Sequence, residues 1–327
     1  MLTIEKRNHL QEATHQGHIA VVGPKGLVAS YGDPHYATFM RSSAKPVQVL
    51  PTLLAGLDKT YDLGPEEISI MSASHMGEPF HIETLLGIME KTGLKEEDLL
   101  MKPTYPGAPY AREEAIRQGG KRKLYHNCSG KHLNLLLYHR EKTGTTEGYY
   151  ETSSPVFQAI SEYLKRLSST PKIETGVDGC GVPVFYVPIF HQAKLFLQLT
   201  NPELVEDALL SQAIEKVFSS VHAYPKHISG TDKICSIINE DPELFAKGGA
   251  KGIYCFGMKN PALGFAVKVE DGTADSWPQV VKELLRIYKP SSPTIAKLDH
   301  LFPSQITNDN DRVIGEHVTD FTLTFYE

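Results

Sequence analysis

Strand-forming sequence is concentrated near the two ends of this 327-residue chain, and helix-forming sequence fills the interval between them. Near the N-terminus, HIAVVGPKGLVASYG (18–32) reads as two short apolar strands joined by a Pro-Lys-Gly turn. Towards the other end, GIYCFGM (252–258) and ALGFAVKVEDG (262–272) form a second hairpin followed by the helix WPQVVKELLRIY, and HVTDFTLTFYE (317–327) alternates as a final strand. Strands from both ends with helices between them predict an α/β sandwich, with helices packed on a mixed, mainly antiparallel sheet. No repeat or low-complexity linker interrupts the chain. It is therefore expected to form a single catalytic-sized domain over 1–327, with room for two intimately joined subdomains.

Between the hairpins the period changes. The stretch SAKPVQVLPTLLAGL (43–57) reads as helical, with serine available as N-cap and Pro46 tolerated in the first turn. EEISIMSAS (66–74) alternates as a strand and runs through a Gly-Glu-Pro turn into the helix of HMGEPFHIETLLGIMEKTGL. GKHLNLLLYHREKTG (130–144), SSPVFQAISEYLKRLSS (153–169) and NPELVEDALLSQAIEKVFSSV (201–221) carry helical spacing. VPVFYVPIFHQAKLFLQLT (182–200) is aromatic and β-branched but broken by prolines, and it reads as extended and partly edge.

Composition excludes several functions. Thirty-three Lys and Arg against 39 Asp and Glu give a formal charge of −6, which offers no reason to expect a nucleic-acid partner. No apolar run approaches the roughly 18–20 residues that span a bilayer, and the first residues lack a signal peptide's apolar stretch, so a cytoplasmic location and no membrane partner are expected. Cys128, Cys180, Cys235 and Cys255 are too few and too scattered for a disulfide framework.

Five short stretches carry chemistry. In RSSAKPVQ (41–48), Ser42 and Lys45 share one face of a helix start, where the positive end of the helix dipole disfavours an ammonium and favours an alkoxide. That suits a lysine base beside a serine nucleophile. The same spacing also describes a capped helix with a surface lysine. SASHMGE sets Ser74 and His75 at the entrance to a glycine loop, NCSGKH groups Cys128, Lys131 and His132, and DGCGVP puts Cys180 between glycines after Asp178. AKGGAKG carries Lys247 and Lys251 in what reads as a glycine-rich turn. No Cys-x-x-Cys, His-Glu-x-x-His or phosphate-loop pattern accompanies them.

Taken in this order, and followed by GFAVKVEDG, the five stretches resemble the asparaginase II family, the Rhizobium etli type of L-asparaginase, from about Arg41 to Gly272. The resemblance implies a fold like that of the serine β-lactamases and serine-dependent glutaminases, and two Ser-Lys pairs that hydrolyse L-asparagine through an acyl-enzyme. The pairs fall on Ser42 with Lys45 and on Ser74 with Lys247. It also implies a zinc site at Cys128, Lys131 and Cys180, a pocket shaped by Arg41, His75, His132 and Asp178, and a homodimer. Where the family commonly has Gly-Ala-Glu or Gly-Ala-Asp, this chain has Gly-Ala-Lys at Lys251. A penicillin-binding or β-lactamase-like acyl hydrolase, and a non-catalytic protein stabilised by zinc, are the competing expectations.

Overall fold

The computed structural model describes every residue from Met1 to Glu327. Its central sheet has six strands in the order Thr324–Phe325, Gly26–Tyr31, Gly17–Gly23, Leu263–Val269, Ile253–Met258 and Leu244–Gly249, each antiparallel to its neighbour. The two hairpins read from the sequence thus lie side by side, with Ala266 of one opposite Ala20 of the other. The last three strands are buried along their whole length, because helices cover both faces. Cys255 and Gly264 turn towards the helix Ile189–Thr200. Tyr254 and Phe265 turn to the opposite face, where they meet Trp277 and Tyr288 of the helix Trp277–Tyr288.

The remaining helices form a layer beside the sandwich. Pro65–Met71 sits at its centre against Pro79–Thr92, Ser129–Thr143 and Ala208–Ala223. One apolar cluster runs without a break from Leu2 to Leu323 and serves both layers. A four-stranded sheet joins the chain ends, with Thr3–Arg7 paired to Leu10–His15 on one side and to Val313–Thr319 on the other. No helix is long and apolar enough to cross a membrane.

Three segments differ from the sequence reading. Residues 66–74 are not a strand: Pro65 and Glu67, whose carboxylate accepts from Gly64 N–H, start a helix that ends at Met71. Ile68, Ser69, Ile70 and Met71 are all buried there, so the alternation of apolar and polar residues marks no exposed face. Residues 182–200 are likewise not an extended edge. Pro183–Pro188 is the middle strand of a three-stranded sheet with Ala37–Phe39 and Glu174–Val177, its prolines standing at the strand ends, and the helix Ile189–Thr200 begins directly after Pro188. The C-terminal alternation, finally, is shared between Val313–Thr319 and Thr324–Phe325, which pair in different sheets.

Candidate active site

Arg41–Ala44 is a tight helical turn, followed by the short helices Lys45–Gln48 and Leu50–Leu54; Pro46 and Pro51 divide what the sequence presented as one helix. The turn is anchored at its base, where Ser43 Oγ donates to Met40 O at 2.7 Å and Met40 N–H donates to Phe185 O at 2.9 Å. Gly249 explains the glycines of AKGGAKG: a Cβ there would lie 2.6 Å from Met40 O, so only glycine lets the Leu244–Gly249 strand approach the start of this turn. Lys247 therefore belongs to a buried edge strand and not to a solvated turn. Lys251 is exposed in the following hairpin turn, in the left-handed region at φ 64°.

The three groups brought together are Lys45, Ser74 and Lys247. Lys45 Nζ lies 3.0 Å from Ser74 Oγ and donates to Ala73 O at 2.5 Å and Asn127 O at 3.4 Å. Lys247 Nζ stands 2.9 Å from the same Ser74 Oγ and donates to Gly248 O at 2.7 Å. Both lysines are buried with no carboxylate beside them. Burial pulls the Lys45 ammonium below its ordinary range and brings Lys247 down to about 8. Ser42 opens onto the same cleft as Ser74 and Lys247, and its hydroxyl makes no hydrogen bond with Lys45. The cleft measures about 810 Å³ and is also lined by Asn127, Ser229 and Lys233.

Two supports of this triad are Asn239 and Gly130, neither of them expected as a site residue from the sequence. Asn239 is fully buried and pairs with Ala246 as a strand would: Ala246 N–H donates to Oδ1 at 2.9 Å and Nδ2 donates to Ala246 O at 2.8 Å. This closes the free edge of the sheet one residue before Lys247. Gly130 performs the matching task on the other side. A Cβ there would meet Ile70 O at 2.3 Å, so glycine brings the Ser129–Thr143 helix against the end of Pro65–Met71, just ahead of Ser74.

Arg41 and Asp178 form an ion pair at 2.8 Å. Arg41 holds a left-handed backbone at φ 50°, and its Nε is buried without an acceptor. His75 and His132 are buried instead of facing the cleft. His75 Nδ1 accepts from Gly77 N–H at 3.1 Å, which leaves Nε2–H to donate to Ser129 at 2.8 Å, while His132 Nδ1 pairs with Tyr149 Oη at 2.7 Å. Burial holds both imidazoles well below their usual range and so neutral. They fix the loop after Ser74 and the start of the Ser129–Thr143 helix.

Beside them, Lys131 Nζ donates to Cys180 Sγ at 2.9 Å, and Cys180 Sγ lies 3.6 Å from Asp178 Oδ2. Cys128 is buried in the same group, its thiol pulled well down by a hydrogen bond from Cys180 and by the ammonium charges of Lys45 and Lys131. Burial opposes charge on Lys131, but the sulfurs of Cys128 and Cys180 outweigh it and hold the ammonium above its ordinary range. No three His, Cys, Asp or Glu side chains gather closely enough to share a metal ion, so a metal here depends on Lys131 as a donor. Two thiols and an amine suit zinc in donor chemistry once the amine has lost its proton.

Comparison with protein families matches the L-asparaginase II family over residues 4–319. The chain belongs to the L-asparaginase II family. It is accordingly an amidohydrolase, and the family implies asparagine as substrate. Among curated proteins no relative matches the chain. Among solved structures, a β-lactamase from Mycobacterium bovis is 14% identical, with 83% of this chain and 94% of that one covered at a TM-score of 0.39. The Bacillus subtilis glutaminase in covalent complex with 5-oxo-L-norleucine is 15% identical, with 84% and 88% covered at 0.38. A Bacillus glutaminase determined in 4.3 M NaCl is 13% identical, with 84% and 91% covered at 0.38.

Proposed function

We propose that this L-asparaginase II family member hydrolyses L-asparagine to L-aspartate and ammonia through a serine acyl-enzyme. The observation that carries the reading is the Ser74 hydroxyl standing within 3.0 Å of two buried lysines, Lys45 and Lys247. A hydroxyl between two amines of lowered basicity is placed to hand a proton from one to the other. Ser42, open to the cleft at the start of a helical turn, is the nucleophile.

Ser42 Oγ attacks the side-chain amide carbon and Lys45 takes its proton. Ser74, with Lys247, delivers a proton to the nitrogen as the C–N bond breaks and ammonia leaves. Water then attacks the ester, and the proton it gives up returns to Ser42. The Ser74 N–H is already spent on Ile228 O at 3.0 Å, so the developing oxyanion is stabilised by other N–H groups, those around the Ser42 turn being the candidates. Arg41 receives the substrate's α-carboxylate and Asp178 its α-ammonium. The zwitterion replaces both halves of their ion pair and offers the unpartnered Arg41 Nε an acceptor. Cys128, Lys131 and Cys180 would hold zinc, whose contribution when bound is to tie the Asp178 loop to the start of the Ser129–Thr143 helix.

A second reading exchanges the serines, making Ser74 the nucleophile; its 3.0 Å contact with Lys45 favours it. Ammonia release from L-asparagine and L-glutamine, compared between the wild type and Ser42→Ala, tests the proposal. Asparagine turnover abolished in the variant is expected, and wild-type protein inert towards both amides would refute it.

A further inference from the structure

The cleft is larger than its assigned substrate. At about 810 Å³ it lies in the range that buries drug-sized ligands, whereas free asparagine would occupy only the end holding Ser42, Ser74 and Lys247. Arg41 and Asp178, assigned to the amino-acid end of the substrate, do not line it. Beyond the serines, half-buried Ile234, Trp277, Phe302 and Ile306 form an apolar shelf. Lys233 stands on the rim of the same cleft as an exposed cation without a carboxylate partner. Of the carboxylates that also line the cleft, Glu5 lies 3.2 Å from His15 Nε2, and exposed Asp275 accepts from Thr273 Oγ1 at 3.1 Å. Beyond the serines the cleft therefore offers an apolar wall and the free Lys233 ammonium, while Arg41 and Asp178 stand outside it.

We propose that the enzyme also cleaves secondary β-amides of aspartate whose leaving amine is an apolar α-amino acid, that is, β-aspartyl dipeptides. This rests on the amidase reading above. The steps balance as for asparagine. The Ser42 oxygen bonds to the β-carbonyl carbon, the C–N bond breaks, and the serine's proton passes through the lysines and Ser74 to the nitrogen, which departs as the amino group of a free amino acid. Water then cleaves the ester to release aspartate. The apolar side chain of the leaving residue lies on the Trp277 and Ile306 shelf, and its carboxylate pairs with Lys233.

The test is aspartate and leucine release from β-aspartyl-leucine, measured by chromatography beside asparagine turnover on the same preparations of wild type, Lys233→Met and Ile306→Ala. Wild-type enzyme is expected to cleave both compounds. Lys233→Met should raise KM for the dipeptide roughly tenfold, the scale of a lost charge-assisted contact. It should leave asparagine kcat/KM within about twofold, which also reports an intact fold. Ile306→Ala should weaken the dipeptide more than asparagine. Asparagine turnover without dipeptide cleavage overturns this inference and leaves the amidase reading standing, whereas failure on both compounds removes that reading as well. An equal rise in KM for both substrates in Lys233→Met overturns the leaving-side assignment, since Lys233 would then hold the substrate's own α-carboxylate.

Discussion

Lys247 and Lys131 are buried to 1% and 2% exposure, yet their surroundings drive them in opposite directions. Lys247 meets a serine hydroxyl and a carbonyl, neither able to repay the lost hydration of a cation, and it falls to about 8. Lys131 suffers the same burial, but Cys180 Sγ accepts its hydrogen bond at 2.9 Å and Cys128, whose thiol is pulled well down, lies beside it, and these sulfurs keep it an ammonium. Burial alone does not decide whether a lysine can act as a base; the nearest partner does. The same chain thus builds a lysine that can give up its proton near pH 8 at one site and a cation locked to sulfur at the other.

The largest effect expected from this contrast lies in paired substitutions. Lys247→Met should cost about 10²–10⁴ in kcat while leaving the circular dichroism spectrum unchanged, since it removes a proton carrier from an apolar site. Lys131→Met should retain most of kcat and instead remove a donor from the proposed zinc site, so that elemental analysis after incubation with zinc finds the metal on the wild type and not on the variant. Equal loss of kcat in both variants would break the distinction between the sites.

Activity should also follow Lys247's proton. If the neutral amine is the working form, kcat/KM rises with pH up to about 8 and levels above it, because the fraction of free amine grows only until its pKa is passed. The residual activity of Lys247→Met should lack that limb. A wild-type profile flat from pH 6 to 9 would contradict the assignment.

A smaller effect is expected at Asn239. Asn239→Leu removes both bonds to Ala246, and a loss of about 1–3 kcal/mol in stability with roughly tenfold lower kcat should follow as the Lys247 strand loosens. Unaltered kcat in a destabilised variant would show that the strand edge serves only the fold.

Burial also governs the histidines His81 and His227, outweighing the charges of Glu78 and Glu67 near them and pushing both down to about 4. Because the unfolded chain binds protons there from about pH 6.5 downward and the folded chain does not, stability is expected to fall as pH drops from 6.5 towards 4. Thermal melts at pH 7 and pH 5 check this, with a lower melting temperature predicted at pH 5.

What was legible in the sequence was whatever depends on neighbours along the chain. Ile253–Met258 and Leu263–Val269 read as strands from their unbroken apolar runs, and Pro155–Ser168 as a helix from its proline and spacing. The helix at Pro65–Met71 escaped because burial on every side removes the periodic signal. Lys247's strand was hidden by glycines that look like a turn but serve the close approach of Met40. At the candidate site, the residue types were visible while their partnership was not. Ser74 meets Lys45 across 29 positions and Lys247 across 173, a meeting that only the packed sheet and helices determine. Nothing in the local sequence sets the lysine of RSSAKP on the serine of SASH in place of its own neighbour, Ser42.

The central claim is a serine acyl-enzyme, and peptide mass spectrometry of wild-type enzyme acid-quenched during asparagine turnover tests it most directly. The account predicts an aspartyl ester on the peptide bearing Ser42, absent in Ser42→Ala. An adduct on any residue other than Ser42 or Ser74, or full turnover by a Ser42→Ala, Ser74→Ala double variant, would contradict it.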